Sequence, residues 1–338
     1  MDEMGQQSGG AAIRVGVIGA GVMGADHARN LHGAVVGATV TALADQNRPV
    51  AEKVAAEIDA PRVFDDGLDL IRSDDVDAIV IASHDSTHAS FALAALELGK
   101  PVLCEKPLAP TVDEARRVVQ AEADTGHPLI GVGFMRRFDP SYVDLKQAVT
   151  SGDLGDILVA HCVSRTVESY PGGDSASTVT NSAIHELDIV PWLLDSPITQ
   201  VSWHAGRSSR NSGTRQDPQL LLLRTESEVL VTVEVFLNAR YGYDTRCEVV
   251  GEVGTAALTL PQRIVVDRER ARGVAYPADW IPRYADAYRL ELQEWVDALR
   301  AGRTSMLATA ADGLRASVVA EAVLESMRSG GVTVDVPN

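Results

Sequence analysis

One stretch near the start of the chain leaves few folds open. Ile13-Arg-Val-Gly-Val-Ile18 reads as a short buried strand, Gly19-Ala-Gly21-Val22-Met23-Gly24 follows at once, and Ala25 to His32 reads as a helix. Glycines in this spacing often mark only a turn. Set between a strand and a helix, they form the pyrophosphate-binding signature of a dinucleotide fold. Gly19 permits the tight turn, Gly21 the close approach of a pyrophosphate, and Gly24 close packing of helix on strand. Val22 and Met23 then stand in the first turn of a helix whose N-terminus receives phosphate.

A dinucleotide fold also needs a carboxylate at the end of the next strand, about 20 residues on. Thr39 to Ala44 is that strand and Asp45 ends it. A carboxylate there accepts hydrogen bonds from the adenosine ribose hydroxyls and repels a 2′-phosphate. NAD is therefore favoured over NADP, although Arg48 stands close enough to offer a phosphate partner. The alternation of helix and strand continues through Val50–Ile58, Arg62–Phe64 and Gly67–Ser73. Ala78 to Ala82 is wholly apolar, as a central parallel strand requires. It ends in Ser83, His84 and His88 at the carboxyl edge where such sheets bind ligands. The two histidines lack a third ligand nearby, so they are read as cofactor-side residues, and no metal is expected. A further strand, Pro101–Cys104, runs into Glu105-Lys106-Pro107. That places Glu105 and Lys106 at a strand end, beside a nicotinamide, with a proline fixing the backbone and a Lys-Pro bond suited to a cis form.

The chain has 338 residues, enough for two domains with separate cores. Its formal net charge of -17 disfavours nucleic acid and anionic membrane as partners. No apolar run approaches the roughly 20 residues of a membrane span. Residues 1–12 read as a disordered polar tail, 13–134 as the dinucleotide-binding domain, and 135–338 as an α+β domain for substrate and assembly. Cys104, Cys162 and Cys247 are widely spaced and offer no disulfide framework or metal pattern, which suits a reducing cytoplasm.

Beyond Met135 the pattern changes to strand-like runs: Ile157–Arg165, Ile198–His204, Leu220–Arg224, Val229–Leu237, Cys247–Val250, Ala256–Leu260 and Arg263–Asp267. With few helices between them they predict one large, mostly antiparallel open sheet, helices on one face and an apolar face left open. Ala285–Ala301 and Ala308–Met327 read as bracing helices. Within this half, Asn181-Ser-Ala-Ile-His185-Glu-Leu-Asp188 spaces its polar residues at i, i+4 and i+7. A helix would stack Asn181, His185 and Asp188 on one face. Tyr241 and Tyr243, either side of a glycine, suit either a turn offering hydroxyls to a polyol or a hairpin with aromatic packing.

Together the glycine turn, Asp45, the Thr87-His88 turn, Glu105-Lys106-Pro107 and the His185 helix resemble the Gfo/Idh/MocA oxidoreductase family from about Ile13 to Val336. The run Asn238 to Asp244 with Cys247 to Gly251 is most similar to its inositol 2-dehydrogenase branch. The resemblance implies an α/β architecture, an N-terminal Rossmann domain plus a C-terminal α+β domain, and a homotetramer built sheet to sheet. It implies NAD-dependent oxidation of a secondary hydroxyl of a cyclic polyol, with His185 as base and Lys106 as its electrostatic partner. Histidine suits proton removal because its pKa lies near 6.5, whereas a lysine cation favours a developing alkoxide. The polyol site so implied takes in Arg136, Ser164, Thr166, Asn181, Asp188, Tyr241 and Tyr243.

The chain departs from that pattern at three positions. Asn181 stands where the family usually has an aspartate, and Ser164 and Thr166 stand where inositol enzymes tend to carry His and Asn. Smaller hydrogen-bonding groups alter substrate choice, so a cyclitol other than plain myo-inositol is expected. The alternatives are a dehydrogenase or reductase of a hexose or keto-sugar derivative, and a non-catalytic NAD-binding sensor.

Overall fold

The computed structural model describes residues 11–60, 62–259 and 264–337. Most of the expected N-terminal tail lies outside them. Two compact units result. Of the described residues, the first unit takes those up to Glu105, Arg117–Gly133 and Arg289–Ala310. The second takes Lys106–Arg116, Phe134–Tyr288 and those from Ala311 onward.

The chain alternates through β1 (Ile13–Ile18), α1 (Val22–Gly33), β2 (Ala38–Ala44), α2 (Arg48–Glu57), β3 (Arg62–Phe64), α3 (Gly67–Ile71), β4 (Ala78–Ile81), α4 (His88–Glu97), β5 (Val102–Glu105), α5 (Val112–Thr125) and β6 (Ile130–Gly133). These strands form a parallel sheet in the order β6-β5-β4-β1-β2-β3. Every residue of β4, β5 and β6 is buried, which is why these runs, Glu105 apart, are without charged or polar side chains rather than alternating. Each buried valine or isoleucine contributes about 1.5–3 kcal/mol. The strand order reverses between β1 and β4, and the chain leaves both strands at their carboxyl ends. Such a switch point is where ligands bind. It brings the Gly19–Gly24 turn and the Ser83–His88 turn to one edge.

The remaining elements are α6 (Pro140–Thr150), β7 (Ile157–Arg165), the single turn α7 (Ser175–Ser177), α8 (Ile184–Leu194), β8 (Ile198–Ala205), β9 (Gln219–Thr225), β10 (Leu230–Phe236), β11 (Asp244–Gly251), β12 (Thr255–Ala257), β13 (Val266–Arg268), β14 (Ala271–Gly273), α9 (Trp280–Ala301), β15 (Ala308–Thr309), α10 (Ala310–Arg328) and β16 (Val334–Asp335). The second unit's sheet runs β12-β11-β7-β10-β9-β8-β16, antiparallel except where β7 meets β10. The large, mostly antiparallel sheet is as expected.

Three local expectations change. The run expected from Arg263 does not join the sheet; β13 pairs only with β14, and Leu260 and Arg263 lie outside the described residues. Ala308 starts an edge strand on β6 rather than a helix. The sheet's outer face is mixed rather than apolar, because His161, Thr232, Glu234 and Arg224 alternate with Val163, Leu220 and Leu222. Cys162 and Cys247, distant in sequence, face each other across β7 and β11 with Sγ atoms 3.7 Å apart, and both are free thiols.

Candidate active site

In the first unit the glycine turn is dictated by contact. Gly19 has φ of +92°, and a Cβ on it would meet the Ala82 carbonyl oxygen at 2.5 Å. A Cβ on Gly24 would sit 1.7 Å from the Gly19 carbonyl oxygen, so α1 can lie this close to the turn only without a side chain there. At Gly21 the situation is opposite: a Cβ would meet nothing within 4 Å. No side chain caps α1 at Gly21, Val22 is 61% exposed, and Met23 follows in the same first turn. An uncapped helix start beside an open glycine is the cradle a pyrophosphate occupies.

Asp45 ends β2 as expected and ties the turn together, its Oδ2 accepting the Ala20 N–H and its Oδ1 the Asn47 N–H, each at 2.7 Å. Each oxygen retains a lone pair for a ribose hydroxyl. The expected softening by Arg48 is corrected. Its guanidinium donates to Glu52 and to Asp65, so it already serves two carboxylates.

At the end of β4, the Ser83 and Thr87 hydroxyls lie 2.7 Å apart, and the exposed His84 turns its Nδ1 to Ser86 and Asp85. His88 differs from expectation: it is 2% exposed and its Nε2 meets the Ser83 carbonyl oxygen at 3.1 Å, bracing the turn from beneath. Glu105 is likewise buried, with Oε1 2.8 Å from Nε2 of the fully buried His27 on α1. His27 escaped the sequence reading because a lone histidine in a helix carries no pattern.

In the second unit, Lys106 follows β5 directly, and its bond to Pro107 is cis. Its Nζ donates to the backbone carbonyl of Asn181 at 3.1 Å. The sequence expectation of a straight helix fails at this point. From Thr178 to Ala183 the backbone widens into a π-helical segment before α8 begins. Such segments recur at functional sites and break α-helical stacking. Asn181 therefore donates its Nδ2 to the Tyr170 hydroxyl at 3.2 Å rather than bonding His185. Asp188 accepts from Arg137 through both oxygens, at 2.5 and 3.1 Å, and Arg137 also reaches Asp312. Burial pushes the Asp188 carboxyl up to about 6 against the pull of Arg137. Asp188 is thus held in an interior ion pair.

His185 lies in the first turn of α8. Its ring packs edge-on against Phe134, with centroids 6.3 Å apart. Among the described residues no group hydrogen-bonds to it, and its Nδ1 is buried without a partner. Burial first, then the charges of Arg136 and Lys106, hold the imidazole well below its ordinary value of 6.5. The ring is neutral at physiological pH and can accept a proton.

Arg136 is 1% exposed and pairs with Glu186, while its Nη2 reaches Ser164 Oγ at 3.5 Å and its guanidinium lies 5.7 Å from the Tyr284 ring centroid. Tyr243 is buried, its ring edge-on to Tyr284, which favours aromatic packing over an exposed hydroxyl. Both the Arg136 Nε and the Glu186 Oε2 are buried without partners among the described residues. Thr166 Oγ1 is already engaged, donating to the Leu237 carbonyl at 2.6 Å and closing the strand ends. The Tyr241 hydroxyl, in turn, donates to Asp244 at 2.5 Å and accepts from Arg165 at 3.1 Å. Glu186, Arg137, Tyr170 and Tyr284 were missed. Their roles come from partners far along the chain, except Glu186, whose place beside His185 was the available signal.

Known proteins sharpen this picture. Residues 13–134 match the oxidoreductase family's NAD-binding Rossmann fold, and residues 146–336 match its C-terminal alpha/beta domain. The chain is similar to inositol 2-dehydrogenase 2 of Paenarthrobacter aurescens, 53% identical over 96% of this chain and 98% of that one. Inositol 2-dehydrogenase 1 of Saccharopolyspora erythraea is 49% identical, covering 94% and 95% of the two chains. Among solved structures, the myo-inositol dehydrogenase from Lactobacillus casei in complex with NAD(H) and myo-inositol superposes with a TM-score of 0.93, at 31% identity and 97% of each chain. The glycine cradle and Asp45 fit the NAD that this family binds. The chain belongs to the Gfo/Idh/MocA oxidoreductase family and is an NAD-dependent dehydrogenase.

Proposed function

We propose that this enzyme oxidises a secondary hydroxyl of an inositol or inositol-derived cyclitol to the ketone, with His185 as base and Lys106 as electrostatic partner. The observation that carries the chemistry is the neutral, unbonded ring of His185 in the same unit as the Lys106 cation. Full-length similarity to inositol 2-dehydrogenases carries the substrate class.

Gly19, Gly21, Val22, Met23, Gly24 and Asp45 would hold the cofactor, with Ser83 and His84 beside them and His88 and Glu105 bracing the strand ends. Bound NAD supplies the acceptor for the hydride that leaves the carbinol carbon. His185 takes the hydroxyl proton at Nε2, since Nδ1 is shut away from solvent. The Lys106 ammonium favours the alkoxide as it develops, which is worth most in a desolvated site. Arg136, charged and buried, discourages protonation of His185 before substrate arrives.

The expectation of a substrate other than myo-inositol loses two supports, because Ser164 and Thr166 are engaged by Arg136 and Leu237. Only Asn181 still argues for it. A panel of inositol stereoisomers, aminocyclitols and hexoses, read by NADH fluorescence, tests the reading. Turnover confined to cyclitols supports it, turnover confined to hexoses favours the sugar alternative, and none at all favours the sensor.

The same reading includes a cytoplasmic homotetramer assembled through the outer face of the second sheet, where Leu220 and Leu230 are 40% and 42% exposed. Three buried free cysteines suit a reducing compartment. Light scattering after gel filtration tests the assembly, and a monomer would remove it. No described helix is long and apolar enough to cross a membrane.

A further inference from the structure

Tyr170 lies between β7 and α7, and the mechanism above does not use it. Arg215, 5% exposed, holds this segment from below. Its guanidinium lies 4.9 Å from the Tyr170 ring centroid. Its Nη2 donates to the Tyr170 carbonyl at 2.8 Å and its Nε to the Gly173 carbonyl at 2.6 Å. The ring is therefore fixed on one face and along its backbone, while the hydroxyl extends to the π-helical segment.

A phenol has one proton to give and lone pairs to receive. Here the proton goes toward the Ser177 carbonyl at 3.4 Å, and the oxygen accepts Asn181 Nδ2 at 3.2 Å. With the phenol proton so directed, the Asn181 amide presents its Nδ2 to Tyr170. A free amide can turn over and exchange donor for acceptor at little cost, but one whose nitrogen is anchored leaves its Oδ1 as the outward group. Among the described residues nothing bonds to that oxygen. The backbone carbonyl of the same residue receives Lys106 Nζ. Residue 181 is thus held by a phenol through its side chain and by the proposed catalytic lysine through its main chain.

Building on the function proposed above, we propose that Tyr170 is a positioning residue that fixes the Asn181 amide so that Oδ1 accepts a hydroxyl proton of the bound polyol. A carboxylate at position 181 would accept in either orientation and need no such anchor. An amide needs one, and the phenol supplies it.

A double-mutant cycle tests this, on the full chain with the best inositol substrate found. Tyr170→Phe keeps the ring on Arg215 and removes only the hydroxyl. KM for the polyol should rise about three- to tenfold, the scale of one neutral hydrogen bond. The kcat should change less and KM for NAD not at all, since a ground-state contact is lost. In an Asn181→Ala background the same Tyr170→Phe change should have no effect. A merely structural tyrosine would lower activity equally in both backgrounds. That result overturns the proposal, as does an unchanged KM in the single variant. If Tyr170→Phe lowers the melting temperature, the comparison in the Asn181→Ala background still separates the cases. Wild-type turnover with an unaffected variant removes Tyr170 alone. No wild-type turnover with any inositol removes the proposed function, and Tyr170 falls with it.

Discussion

The two units place their chemistry by different means. In the first, the backbone decides: a glycine with positive φ, a helix start without a cap, and a carboxylate at a strand end that ties the turn. In the second, side chains decide. Arg136 pairs with Glu186, Arg137 with Asp188, and Asn181 with Tyr170, Asn181 standing in a π-helical segment. A site made by backbone sterics tolerates change at its other positions but fails outright when a Cβ is added. A site made by buried charge tolerates little, because removing one partner leaves the other desolvated and unpaired.

Four measurements would sharpen or break this contrast. The largest expected effect is from Lys106→Ala, with kcat falling roughly 10²–10³-fold, the range for losing one group that stabilises developing charge. NADH binding by fluorescence titration should be unchanged; a large loss there would mean that the cofactor and catalytic functions are not divided as described. Next comes Gly24→Ala. Its new Cβ cannot coexist with the Gly19 carbonyl 1.7 Å away, so NAD affinity should fall more than about tenfold as the turn shifts, at a stability cost of about 1–3 kcal/mol. Unchanged affinity would show that the turn is not held by contact.

The third measurement concerns Asp188. Its folded pKa of about 6 lies above the ordinary 3.8, so the native state holds a proton that the unfolded chain has released. That contribution is fully present below about pH 3.8 and is lost as pH rises through about 6. Chemical denaturation between about pH 4 and 6 should therefore show a more negative slope of unfolding free energy with pH in wild type than in Asp188→Asn. Equal slopes would mean that Arg137, not burial, controls this carboxyl. The smallest effect is expected from Asn181→Asp. On the proposed mechanism neutral His185 is the active form, so kcat/KM should stay flat through pH 6.5 and fall only at lower pH. A nearby carboxylate would stabilise the imidazolium and move that fall upward by about one unit. An unmoved profile would separate residue 181 from the base.

The same contrast explains what could be read from the sequence. The Rossmann unit was legible because its signals are local: the glycine spacing, Asp45 after β2, the apolar β4. The strands of the second sheet were legible from alternation, although its β16, like β15 on the edge of the first sheet, has two residues and is too short to carry a period. What was not legible depended on distant partners. Nothing near Asp188 announces Arg137, nothing near Thr166 announces Leu237, and nothing near Glu105 announces His27. The stacked face of Asn181, His185 and Asp188 assumed a regular helix, and a π-helical turn has no simple sequence period to reveal it. Lys106 and His185 stood out because strand-end lysines and helix-borne histidines are chemically informative types, yet the bond from Lys106 to the Asn181 carbonyl came only with the structure.

The proposed role of His185, neutral and unbonded, is to take the proton from a cyclitol hydroxyl. Its most direct test is the rate of NAD reduction with the preferred inositol, comparing wild type with His185→Gln, alongside NADH binding to both. A fall in kcat of roughly 10²–10⁴-fold with binding unchanged is the predicted result, the range for losing a general base. A variant that turns over within a fewfold of wild type would contradict it.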